Sequence, residues 1–156
     1  MVTQTLAQSI LNYLTGKTQS IYGGSMYIGL SKKVPYINSS GEITNIDEPE
    51  ISAATGYARE MIGNYQVASS QLFGTMTWDS TNNYFKITNT SQIKFNKALT
   101  AWTDTTDDTT KIKAFVIYNA ATGGTPLFFG ELASSTHVAA NQSCNIAVGA
   151  ASIRIV

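Results

Sequence analysis

The chain has 156 residues, ten basic and ten acidic side chains and a hydrophobic fraction of 43%, a length that suits one domain burying roughly 68–70% of its unfolded surface. Charged residues make up only 13%, and Thr, Ser, Asn and Gln occupy 53 positions in their place. Zero net charge without a basic run argues against nucleic acid as a partner, and no apolar stretch approaches the ~20 residues that span a bilayer.

Residues 4–15, QTLAQSILNYLT, place Leu6, Ile10 and Leu14 at i, i+4 and i+8, the spacing of a short amphipathic helix. Thr3 or Thr5 suits its start, and Gly16 with Lys17 its end. The segment lacks the basic flank and continuous apolar core of a signal peptide. A helix of about three turns is marginal alone in water, so it must dock on its own domain or on a partner.

After Gly23-Gly24 the period changes. SMYIGLS (25–31) alternates as a strand, with Met26, Ile28 and Leu30 on one face. Residues 32–55 read as a long polar connection containing Pro35, Pro49 and the acidic stretch Asp47, Glu48 and Glu50; connections of this length are usually functional or locally disordered. Further strands are predicted at 56–63, 72–78, 84–95, 111–120, 126–132 and 144–156. Turn clusters separate them, among them Asp79 to Asn83, Asp104 to Thr110 and Ala121 to Gly124. Regular short strands between such clusters predict a mainly β chain, an antiparallel β-sandwich or barrel, jelly-roll-like, with a short N-terminal α-helix. No internal repeat or linker divides the chain, so 1–156 reads as one β-rich domain.

Chemistry-bearing residues are sparse. Cys144, the sole cysteine, cannot form an internal disulfide and reads as a small buried hydrophobe. A single histidine, His137, cannot assemble a multi-histidine metal site, and no carboxylate stands beside it in sequence. Asp104, Asp107 and Asp108 alternate oxygen groups, but they lack the central Gly and bidentate Glu of a calcium loop; turn chemistry explains them as well. Gly23-Gly24 and Gly123-Gly124 fit no phosphate-binding frame and read as hairpin turns. No catalytic, cofactor-binding or metal-binding residue is assigned. Arg59, following an apolar stretch, is a candidate structural anchor that could hold a carboxylate or backbone carbonyls.

The order of segments resembles a known family. A helix precedes the strand MYIGLS, then come Gly56-Tyr57-Ala58-Arg59, Ile93-x-Phe95-x-x-Ala98-x-x-x-Trp102, the block from Ala114 to Gly124, Leu127-Phe128-Phe129-Gly130-Glu131-Leu132, and a closing strand from Ala147 to Ile155. This pattern is similar to that of small structural proteins of tailed bacteriophages, labelled tail-fibre-like, head-fibre or minor capsid decoration proteins. It covers about residues 6–155 and departs from the family by lengthening 63–90 and by carrying Ile37 to Ile51 where a short Gly-rich loop is common.

The resemblance implies a non-enzymatic virion protein, assembled in the host cytoplasm, whose partners are the major capsid protein or other virion proteins and further copies of itself, with a trimer favoured. Binding the capsid as a decoration or head-fibre subunit is the leading expectation, with Leu6, Ile10 and Leu14 as the docking stripe. The alternative is a tail-fibre or baseplate module that binds a host receptor or glycan through Tyr36, Trp102 and Tyr84.

Overall fold

The computed structural model describes residues 24–64, 72–75 and 77–155. Eleven strands run through them: β1 (Ser25–Ser31), β2 (Tyr36–Ile37), β3 (Ile43–Thr44), β4 (Glu60–Asn64), β5 (Thr77–Asp79), β6 (Tyr84–Thr88), β7 (Ile93–Lys94), β8 (Ile112–Tyr118), β9 (Pro126–Thr136), β10 (Asn145–Ile146) and β11 (Ser152–Ile155). Every pairing is antiparallel. The main sheet has the order β4-β1-β8-β9, a three-stranded sheet the order β11-β6-β5, and two small ladders join β10 to β7 and β2 to β3. The predicted N-terminal helix over 4–15 lies outside the described residues.

The centre of the main sheet follows from composition. β1 and β8 read SMYIGLS and IKAFVIY, rich in the β-branched and aromatic residues that suit a pleated surface. Alternation sends Ile28, Leu30, Phe115 and Ile117 into the main hydrophobic core. The opposite face is covered too: Val116, Tyr118 and Leu127 are buried there. Tyr57 stands in the core with its ring parallel to Phe95 at 6.2 Å and edge-on to Trp102 at 5.1 Å, geometries that favour the ring quadrupoles.

Three expectations need correction. None of the sheets closes into a barrel. The largest has four strands, whereas the smallest barrels with a filled interior take about eight. The connection over 32–55 is not devoid of structure, because β2 and β3 form a hairpin inside it. Asn38 sets its tip, with Oδ1 accepting from the Ser40 and Glu42 amides, while Gly41 adopts φ 76°.

The third correction concerns 84–95, predicted as one strand. It breaks at Asn89, which is 1% exposed. The Asn89 side chain donates to the carbonyls of Ser91 and Ala147 and accepts from the Ala151 amide. Its backbone bonds Ala151 and Gly149 as well. Polar groups buried this deeply must be paired, and the pairing fastens 147–151 across the end of β6. The same junction divides the predicted strand 144–156 into β10 and β11.

Candidate functional site

The densest polar cluster lies on the face of the main sheet away from the core. Lys32 donates its amide to the Asp47 carbonyl, and the Asp47 amide donates to Ser31 Oγ, so the chain after the β2–β3 hairpin is drawn back along β1. This delivers Glu48 over Gly29. A Cβ at position 29 would collide with Glu48 Oε1 and come within 3.1 Å of the Tyr57 hydroxyl. Glycine is required there by space rather than by backbone angle.

Arg59 meets Glu48 from the other side. Its Nε lies 2.9 Å from Oε1 and its Nη2 2.8 Å from Oε2, the fork-on-fork geometry that makes guanidinium–carboxylate pairs strong. Nη1 donates to the carbonyls of Ala120 at 3.0 Å and Gly123 at 2.6 Å. The guanidinium carbon stacks 3.3 Å from the centre of the Tyr118 ring, a cation–π contact. The two side chains are 6% and 13% exposed. One arginine therefore touches the strap ending at Glu48, the sheet through Tyr118, and the β8–β9 turn in which Gly123 and Gly124 both take positive φ.

Tyr57 completes the cluster. Its hydroxyl donates to Glu48 Oε1 at 2.7 Å and accepts from the Leu30 amide at 2.7 Å. Burial, reinforced by the adjacent Glu48 charge, pushes this phenol well above its usual range. Burial also raises Tyr118, again with help from Glu48. Burial works against the Arg59 charge, but the hydrogen bonds and charge of Glu48 outweigh it and hold the guanidinium above its ordinary value. All these shifts favour fixed protonation states at neutral pH. The cluster fastens segments and offers no group poised for proton transfer.

A second cluster sets a hydroxyl, a histidine and a carboxylate in line. Thr103 Oγ1 lies 3.3 Å from His137 Nδ1, and His137 Nε2 lies 3.3 Å from Asp108 Oδ1. The order is that of a nucleophile, base and orienting acid. Thr103 is 4% exposed, and its oxygen already accepts the Val138 amide at 2.8 Å, so no substrate carbonyl can reach it. Asp108, by contrast, is 82% exposed and shares Oδ1 with Lys111. The trio ties the 104–110 turn to the end of β9.

Asp104 accepts from the Thr106 hydroxyl and amide, and Asp107 from the Thr109 amide. These bonds hold both carboxyls below their ordinary range and account for the two aspartates as turn formers. Among the described residues no group of three or more His, Cys, Asp or Glu is placed to hold a metal ion. Cys144 is buried, and burial raises its thiol to about 11.

The other sequence-derived candidates are dispersed. Leu6, Ile10 and Leu14 lie outside the described residues. Trp102 is 6% exposed, with its indole nitrogen donating to the Thr55 carbonyl; it is a core residue and gives a sugar no platform. Tyr84 is half-buried and Tyr36 is exposed. The aromatic surface that does form is Trp78 against Phe85, paired across β5 and β6 with ring centres 4.8 Å apart. Both remain about half exposed. Its signal in the sequence was the alternation of 77–79 and 84–86 about the Asp79–Asn83 turn, which places these two rings on one face.

A sequence model of one family, described as podophage GP4 fiber I protein gp80, matches residues 1–154. No curated protein matches the chain.

Proposed function

The chain belongs to this podophage fibre family, a family of virion components, and from that premise we propose that it is a non-enzymatic subunit which binds the capsid as a decoration or head-fibre protein through symmetric contacts between copies. The match over residues 1–154 supports the structural, fibre-type role in this reading; the capsid as its seat is part of the proposal. In this proposal the whole chain acts as one domain of sandwich type, with Arg59 as its structural anchor and residues 1–16 as its docking element.

The outer strand β9 supports association. It ends the main sheet, is eleven residues long, and after Pro126 carries Glu131 as its sole charged side chain. End strands usually carry charges, prolines or bulges that discourage pairing with another chain. β9 keeps some of these, Pro126, Glu131 and a register irregularity on each side of its regular stretch. Its uncharged middle, Phe128 to Gly130, is therefore the part suited to a neighbour. Weak contacts repeated around a ring of copies, a trimer in the preferred version, reinforce one another through high effective concentration. Deleting residues 1–16 tests the docking element. Particle binding is expected to vanish while the β-rich part keeps its circular dichroism; undiminished binding contradicts the role of Leu6, Ile10 and Leu14.

A second reading, a tail-fibre module that binds a receptor or glycan, is favoured by one observation. The half-exposed Trp78–Phe85 pair sits on the β5–β6 hairpin, whose turn carries the exposed Asn82 and Asn83, and exposed flat rings suit a saccharide. A glycan array showing specific binding that Trp78→Ala removes selects this reading.

A further inference from the structure

The outer strands of two sheets, β9 and β11, flank one groove. Phe128 and Leu132 of β9, Ala150, and Ile153 of β11 form its half-buried apolar floor against the core cluster. Its volume is about 660 Å³, within the ~300–1,000 Å³ that bound groups commonly fill. Alternation turns the Glu131 side chain to the opposite face of β9, where it pairs with Ala114. The floor itself carries no charge.

The main chain of both walls is unpaired on the groove side. Antiparallel bonding alternates along a strand, so one fixed bond sets the direction of the residues around it. Leu30 gives its amide to the Tyr57 hydroxyl and is thereby turned away from β8. Phe115, its partner in register, therefore turns towards β9 and exchanges bonds with Gly130. Phe129 and Glu131, on either side of Gly130, then direct their amides and carbonyls outwards. In β11, Ser152 lies opposite Thr88, whose carbonyl takes the Gly74 amide, so Ser152 is turned away from β6. Among the described residues no backbone bond takes up the main chain of Phe129, Glu131 or Ser152.

These walls select the occupant. An edge strand of a second copy has one edge to offer, because its own sheet holds the other. A segment that meets β9 and β11 at once needs both edges free, and apolar side chains at alternate positions to cover the floor. Phe128 to Ala133 runs about 17 Å, room for a strand of about six residues. We propose that the groove receives an extended segment of another virion protein, added as a strand between β9 and β11. This rests on the reading above that the chain docks on the virion, and it names the kind of segment that holds it there. The added strand lies along β9 and so stands between adjoining copies in the ring. Cα atoms of the two walls come within 8 Å in places, whereas strands flanking an inserted one stand ~9.6 Å apart. The walls therefore part where they are nearest as the segment enters.

Hydrogen exchange tests it, read by mass spectrometry on fragments covering 127–133 and 150–153. The free full-length chain, over a range of concentrations, is compared with the chain in purified particles. In particles the outward amides of Phe129, Glu131 and Ser152 should slow on the order of tenfold or more, while in the free chain they exchange fast. Phe129→Pro and Ser152→Pro each delete one outward amide and no bond of either sheet, and edge strands admit proline where the N–H faces out. Each should lower incorporation into particles about two- to tenfold, the worth of one hydrogen bond.

Slow exchange at these amides in the free chain overturns the proposal. If it is independent of concentration, the chain fills its own groove; if it grows on concentrating, a second copy does. Slowing at 127–133 alone means contact with one wall and also overturns the inserted strand. Particles that carry the chain with all three amides fast overturn the groove as the seat, although the docking reading survives. Particles without the chain overturn both. Should either proline variant fail to fold, the exchange pattern of the parent decides.

Discussion

Arg59 shows how one side chain can organise three segments. Its guanidinium bonds the Glu48 carboxylate, two carbonyls of the β8–β9 turn and the face of Tyr118. Removing one member of such a buried pair leaves the other charge without a partner, at a cost of about 3–5 kcal/mol. Arg59→Met and Glu48→Gln are therefore each expected to lower the urea unfolding free energy on that scale. A change under about 1 kcal/mol in both would show that solvent screens the pair. Tyr57→Phe should cost less, about 1–3 kcal/mol, because it leaves a single buried amide, that of Leu30, without an acceptor.

Cys144 gives the pH dependence at this scale. Burial raises its thiol to about 11, above the ~8.5 of an exposed thiol. The folded state thus holds the proton more tightly than the unfolded state. The sign follows: this contribution is complete below about pH 8.5 and is lost as pH climbs towards 11, at up to about 1.4 kcal/mol per pH unit. Iodoacetamide at pH 8 should leave native Cys144 unlabelled and label it fully in urea. Rapid labelling of the native protein would contradict its burial.

At the scale of elements, Asn89 carries the most structural consequence. It ends β6, turns the chain into β7 and receives the segment that enters β11. Asn89→Ala abolishes three side-chain hydrogen bonds and strands the buried Ala151 amide, so about 3 kcal/mol of stability should go, at ~1–3 kcal/mol per unsatisfied group. Hydrogen exchange should rise first at 147–153. Uniform acceleration across β1 and β8 would show instead that the junction does not behave as a local unit.

The sequence was legible where alternation was long. β1, β8 and the first half of β9 stand where period-2 patterning places them, since each buries side chains on a continuous surface. It failed where one buried amide outranks the pattern: 84–95 and 144–156 look like unbroken strands because Asn89 and its partners lie 58 and 62 positions apart in the chain. The β2–β3 hairpin was missed for a different reason. Two-residue strands carry no period, and what holds them is Asn38 and the Glu48–Arg59 tether.

The site was partly legible in the same sense. Arg59 drew notice as a residue able to hold a carboxylate or carbonyls, but nothing local in the sequence named Glu48, Ala120 and Gly123 as the groups it meets. Trp102 illustrates the converse, because an aromatic in a polar stretch reads as a platform until Thr55 is seen to take its indole proton.

At the scale of the whole molecule, neutrality and the scarcity of charge acquire a purpose in the proposed role. A surface dominated by Thr, Ser and Asn can be covered by neighbours without isolating ions, whose burial unpaired would be costly. In that proposed role Arg59 would keep the main sheet in shape, and β9, which ends that sheet, would be the strand offered to a neighbour.

Electron cryo-microscopy of purified phage particles tests this account most directly. It predicts density for this chain in a ring of symmetry-related copies seated on the virion, with β9 of each copy turned towards the next. Particles that lack the chain, or carry isolated copies making no contact with one another, would contradict it.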